Sequence, residues 1–156
     1  MTFADVKARR LVEALRAIQA ERADLDLSFL SDRPVGDALA WLEALPGVGR
    51  KTAAAVLNFT ALDRPVLAAD GHVTRVLARL GLGVAGAVAA SERVTAAASH
   101  WTAADFRSFH VHLKRLGQTI CRLDTPRCAD CPLRSDCRTG IGAVPTWTGK
   151  LTARMG

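Results

Sequence analysis

Aromatic side chains are scarce, at 5% of the 156 residues, so stacking on nucleobases is not the main theme of this chain. Strict apolar–polar alternation is also missing, which removes the signature of a half-buried sheet. No stretch approaches the length of a transmembrane helix. The N-terminus carries Asp5, Lys7, Arg9 and Arg10, where a secretory signal would need an apolar core. There is no internal repeat. The expectation is a cytoplasmic protein with no membrane partner. In that compartment, four cysteines in one short stretch indicate a metal site rather than disulfides.

What remains is apolar and helical in character. Hydrophobic residues make up 49% of the chain, which argues against disorder. Alanine, leucine and valine dominate, and the fold class expected is all-α. The length allows one domain or two small lobes. The net charge is +6, and its distribution is uneven. Residues 1–105 balance, whereas residues 106–156 hold nine Lys/Arg against three Asp/Glu. A basic lobe is an electrostatic footprint for nucleic acid, although charge alone fits a soluble basic surface equally well.

The organising stretch is Leu45-Pro46-Gly47-Val48-Gly49-Arg50-Lys51. An apolar helical run over 35–45 stops at Pro46. Two glycines follow within three residues, and a second helix is predicted over 50–62. This reads as helix, tight hairpin, helix. The glycines permit φ > 0 and leave room for another backbone to come close. The first amides of the second helix lack intrahelical partners and carry its positive dipole end. Such a turn suits a phosphate, and Lys51 puts an amine beside it.

The rest of the chain is expected to be helical in short pieces. An amphipathic helix is predicted from Phe3 to about Glu21, with Leu11, Leu15 and Ile18 as its apolar set. After an irregular stretch over 24–33, Asp70-Gly71 opens a helix to Leu82. Val73, Val76, Leu77 and Leu80 form its apolar face, Arg75 and Arg79 share another face, and Asp70 stands at the N-cap. Residues 83–90 read as a loop and Ser91–Trp101 as a helix. Thr102 and Asp105 then resemble a capping box ahead of a helix to about Ile120, whose stripe of Phe106, Phe109, Leu113, Leu116 and Ile120 reads as core.

The cysteines are Cys121, Cys128, Cys131 and Cys137, spaced C-x6-C-x2-C-x5-C. Four thiolates within 17 residues suit either zinc or a 4Fe-4S cluster. A second C-x2-C knuckle, usual in zinc ribbons, is lacking, which favours the cluster. With all four ligands supplied by protein, the centre is expected to be structural. Arg122 and Arg127 lie between the first two cysteines, where they are expected to grip phosphates.

Three motifs together carry a resemblance: LPGVGRKTAAAVLNF, then Asp70-Gly71-His72-Val73-Thr74-Arg75-Val76, then the cysteine spacing. In this order they resemble endonuclease III and the helix-hairpin-helix DNA glycosylase superfamily, over roughly residues 38–137. The resemblance implies a partial helix-hairpin-helix glycosylase fold, an incomplete helical barrel, plus a C-terminal iron–sulfur loop. Its expected divisions are 1–82 for the barrel helices with the hairpin, 83–140 for the cluster lobe and 141–156 for a tail. It implies Lys51 as nucleophile and Asp70 as catalytic carboxylate. Cys121, Cys128, Cys131 and Cys137 would be cluster ligands, with zinc as the alternative. Gly47, Val48, Gly49 and Arg50 would hold the DNA backbone. A lysine attacking a sugar must be neutral, and a helix N-terminus and partial burial both disfavour the ammonium form.

The implied activity is base-excision repair. A damaged base, an oxidised pyrimidine by analogy, would be removed from double-stranded DNA and the strand cut by the lyase step, without a nucleotide cofactor. Such a protein would be nucleoid-associated. The alternatives are a non-catalytic DNA-binding module and a monofunctional mismatch glycosylase. Gly71 departs from the threonine usual in endonuclease III and is reminiscent of adenine-mismatch glycosylases. His72 follows the endonuclease III pattern and reads as a packed or capping residue. The resemblance also implies further barrel helices ahead of the part matched here, and hence apolar surface on the helices present.

Overall fold

The computed structural model describes residues 3–142. It contains six α-helices: α1 Phe3–Arg22, α2 Val35–Glu43, α3 Arg50–Phe59, α4 Gly71–Leu80, α5 Ala87–Ala97 and α6 Ala103–Thr119. Short 3-10 turns cover Ser28–Ser31, Cys128–Asp130 and Arg134–Asp136. No strand occurs among the described residues, and the fold is all-α. No helix among them is long and apolar enough to cross a membrane. The expected tail over 141–156 lies outside the described residues except for Ile141 and Gly142.

Local chemistry sets most boundaries. Gly81 takes φ +98° and closes α4 in the left-handed conformation that glycine adopts without penalty. Thr102 and Asp105 form the expected capping box at the start of α6. The hydrogen bonds from Thr102 hold the Asp105 carboxyl below the usual carboxylate range. The helix expected over 91–101 instead begins at Ala87. Gly86, at φ +105°, makes the break there, and the alanines that follow are good helix formers whose Ala90 packs into the core.

The core has two parts. One gathers Ala14, Ile18, Leu30, Leu39, Leu42, Ala53 and Leu57. The other gathers Val73, Val76, Leu77, Val94, Phe106 and Leu113. They meet at the segment 66–69, where Val66 and Ala68 face the first part and Leu67 and Ala69 face the second. Alternation with period two is the mark of extended backbone. In this packing α4 lies with α5 and α6. The polar groups of the buried segment are met by side chains. Leu67 N donates to Thr95 Oγ1 at 3.1 Å, and His110 Nδ1 donates to the Ala68 carbonyl at 2.5 Å.

α1 buries a different edge from the one its leucines suggest. Ala14 and Ile18 are buried, whereas Leu11 is 61% exposed and Leu15 40%. The helix meets the first core through Ala14 and Ile18, and Leu11, Val12 and Leu15 form an apolar strip on its outer side. The Trp41 indole donates to Glu21 at 2.7 Å and the Arg22 guanidinium lies 3.9 Å from the Phe29 ring centre. These contacts tie the end of α1 to α2 and the turn before it.

α4 and α6 approach each other closely at Gly117. A Cβ at Gly117 would lie 2.9 Å from the His72 Cβ and 3.2 Å from its carbonyl oxygen. Gly117→Ala should therefore push α6 off the first turn of α4. The expected cost is about 1–3 kcal/mol, as for other overpacking substitutions, read as a lower thermal midpoint; an unchanged midpoint would contradict this packing.

Candidate active site and cysteine loop

The hairpin between α2 and α3 is built by backbone. Val48 N donates to the Leu45 carbonyl at 3.1 Å, and Gly47 takes φ +75°. Val48 packs its side chain against the first core, anchoring the turn from below. A Cβ at Gly47 would lie 2.8 Å from the Arg10 Cβ and Cδ, so the glycine also admits the stem of Arg10. Gly49 is different. Its φ of −109° suits any residue, and a Cβ there would meet nothing within 4 Å. The open space beside it faces outward, and Thr52 N and Ala53 N both donate to its carbonyl. The amides of Gly49, Arg50 and Lys51 make no hydrogen bond among the described residues.

Lys51 occupies the second position of α3 and is exposed. The partial burial expected from the sequence is not found there. Arg50, one residue earlier, turns the other way. Its Nε lies 2.9 Å from Glu43 and its Nη2 3.5 Å from Glu92, with 18% of the side chain exposed. The Arg50 side chain thus staples the start of α3 to α2 and α5, and its amide remains free beside those of Gly49 and Lys51.

Asp70 caps α4. Its Oδ1 accepts from the amides of His72 and Val73, each at 2.9 Å. Its Oδ2 faces Lys114 on α6, with Nζ 3.8 Å away. Asp70 and Lys51 are joined by no hydrogen bond or ion pair, and α3 and α4 have no extensive contact. Both pack on α6, which sets their relative position. Lys114 escaped the sequence reading, because a lysine flanking the apolar stripe of a helix carries no signal of what lies across from it.

The other end of α4 holds the cysteine loop. Arg75 donates to the carbonyls of Gly117 (2.7 Å) and Cys121 (3.1 Å) and to His72 Nδ1 (3.1 Å). Burial draws the Arg75 guanidinium below its ordinary value. Arg79 donates to the carbonyls of Arg122 (2.6 Å) and Leu123 (2.7 Å) and to Cys121 Sγ (3.3 Å). The Arg79 carbonyl accepts from Thr139 Oγ1 at 3.0 Å and from Cys137 Sγ at 3.2 Å. The two arginines that the sequence places together are the pins of the loop.

All four cysteines are half-buried and outside any disulfide. They line one cavity with Arg79 and Arg127. No three His, Cys, Asp or Glu side chains among the described residues converge to hold a single metal ion. The donor set, four thiols on one cavity wall, fits a centre that takes only thiolate ligands. Arg127 also pairs with Asp130 at 2.9 Å. Arg122 is exposed and lines an open cleft with His72, Arg75 and Gln118, beside the first turn of α4.

Residues 37–59 match the model of the helix-hairpin-helix motif. The chain is 39% identical to endonuclease III of Treponema pallidum over 84% of its own length and 56% of that protein. It is 38% identical to an adenine DNA glycosylase of Mycobacterium tuberculosis over 81% of its length and 40% of that protein. The chain spans about half the length of the curated relatives it matches. Among solved structures, a trapped covalent intermediate of endonuclease III with DNA superposes with a TM-score of 0.66 at 28% identity, covering 88% of this chain and 59% of that one. A non-covalent endonuclease III–DNA complex superposes with a TM-score of 0.65 at 27% identity over the same shares. The chain is endonuclease III-like in sequence and in fold.

The two hairpin glycines should separate in their effects. Gly47→Ala forces a left-handed backbone on a residue with a Cβ, at about 1–2 kcal/mol, and should lower the melting temperature. Gly49→Ala should leave it within the error of calorimetry. Equal melting of the two variants would refute the division of roles.

Proposed function

We propose that the protein is a DNA glycosylase with AP-lyase activity, acting on double-stranded DNA that carries damaged bases or abasic sites. The observation that carries this reading is the pair of an exposed lysine at the hairpin and a helix-capping carboxylate, both set by α6, within an endonuclease III-like fold. The open side of Gly49 and the free amides at the start of α3 are the surface on which a phosphate would seat. Arg122, beside the first turn of α4, adds a cation for the DNA backbone.

The target nucleotide is flipped out of the stack. The neutral Lys51 amine attacks C1′ of the sugar. The C1′–N bond breaks and the base departs with a proton. The sugar ring opens, its O4′ taking a proton, and C1′ and Nζ become joined as an imine. Loss of a C2′ proton then expels the 3′ phosphate, and water releases the sugar from Lys51. Asp70 stabilises the positive charge that builds on the sugar, or shuttles the protons. Cys121, Cys128, Cys131 and Cys137 would hold a 4Fe-4S cluster. Its contribution would be structural, since every ligand is a protein thiolate and the loop is rigidified around it.

The substrate is an oxidised pyrimidine on the endonuclease III model. A second reading, release of a mismatched base without a nick, is favoured by Gly71 and by the likeness to adenine DNA glycosylases. The same assay separates the two, because the second yields free base and an uncut strand. For the first, borohydride reduction during reaction with abasic duplex DNA should trap a covalent adduct that Lys51→Ala loses entirely. Intact protein that forms no adduct would sink the lyase assignment.

The metal is tested independently. Protein purified without oxygen should be brown, with a broad band near about 400 nm and iron and sulfide in equal amounts. Cys128→Ser should bleach the band and loosen the loop towards proteases. Colourless protein containing zinc would replace the cluster with the alternative ion.

A further inference from the structure

One face of α6 follows the chain through the candidate site in register. His110 donates to the Ala68 carbonyl, Lys114 faces Asp70, and Gly117 lets His72 approach. Steps of four and three along α6 thus meet every second residue of 68–72. That is how one helical ridge matches an extended segment and the cap that follows it. Two of the three contacts are tight and buried, so the third, Lys114 to Asp70, is placed by the fold and not by a chance rotamer.

The chemistry of Asp70 leaves a vacancy that this contact fills. Two backbone amides occupy Oδ1. Oδ2 has no amide, and Lys114 is the only cation within 4 Å of it among the described residues. The Asp70 side chain is 12% exposed and that of Lys114 42%, so the pair is partly shielded from water and the ammonium keeps access to solvent. At 3.8 Å the contact is an ion pair longer than a hydrogen bond. It balances the charge of the carboxylate while leaving Oδ2 without a hydrogen bond.

We propose that Lys114 is a positioning residue for Asp70, holding its carboxylate in place and compensating its charge until the flipped nucleotide enters. This rests on the glycosylase reading. It predicts an effect on chemistry and none on DNA affinity. Lys114→Met should slow single-turnover base release and strand cleavage about fivefold, the scale of a partly exposed ion pair. Binding to duplex DNA with an uncleavable abasic analogue should stay within about twofold, with an unchanged salt slope. Lys114→Arg should recover most of the rate. With Asp70→Asn in place, adding Lys114→Met should cost nothing further, because the two act as one unit.

Four outcomes would overturn the assignment. Lys114→Met that folds, melts like the parent and reacts at the parental rate leaves Lys114 without a role. Weaker binding with a shallower salt slope and a loss additive with Asp70→Asn makes it a phosphate contact. A borohydride adduct that survives Lys51→Ala and disappears only when Lys114→Met is added makes it a nucleophile. Parent protein that neither releases base nor forms an adduct removes the glycosylase reading itself, and the assignment with it. Reactive parent protein with an indifferent Lys114→Met removes the assignment alone.

Discussion

The close approach of α4 to α6 is the constraint on which the site depends. It is possible because position 117 has no Cβ, and His72 fills the space. From that point the two ends of α4 take separate duties. Its N-terminus presents Asp70 and draws on backbone amides to fix it. Its last turns send Arg75 and Arg79 into the carbonyls of the cysteine loop. A disturbance at the α4–α6 contact would therefore reach the carboxylate and the loop together, although the two lie at opposite ends of the helix.

The hairpin works on another basis. Its shape comes from one glycine with a positive φ and one valine anchored in the core, and its charge comes from unpaired amides. Side chains near it serve the fold: Arg50 is committed to Glu43 and Glu92, and the stem of Arg10 fills the space over Gly47. Recognition by backbone is indifferent to base sequence, as the proposed glycosylase function would require.

Sequence periodicity located the six helices because each carries local signals: Pro46 and the glycines around the hairpin, Asp70 as a cap, Thr102 and Asp105 as a box. It misplaced the start of α5, where alanines after Gly86 read as a loop but form a helix once Ala90 is buried. Of the apolar set it named on α1, Ile18 is buried and Leu11 and Leu15 are exposed, because hydrophobicity reports what would prefer to be buried and not what is there to bury it. It held no sign that the Arg50 side chain pairs with Glu43 and Glu92, because a basic residue beside a hairpin looks the same whatever its partner.

The sequence by itself determined the helical class, the hairpin, the cap at Asp70 and the thiol set, since each is encoded within a few consecutive residues. Tertiary structure alone decided that the core divides within 66–69, that Arg75 and Arg79 pin the cysteine loop, and that Lys114 stands opposite Asp70. Those facts join residues some 40 or more positions apart. A one-dimensional pattern holds no record of which side chains meet after the chain has turned back on itself.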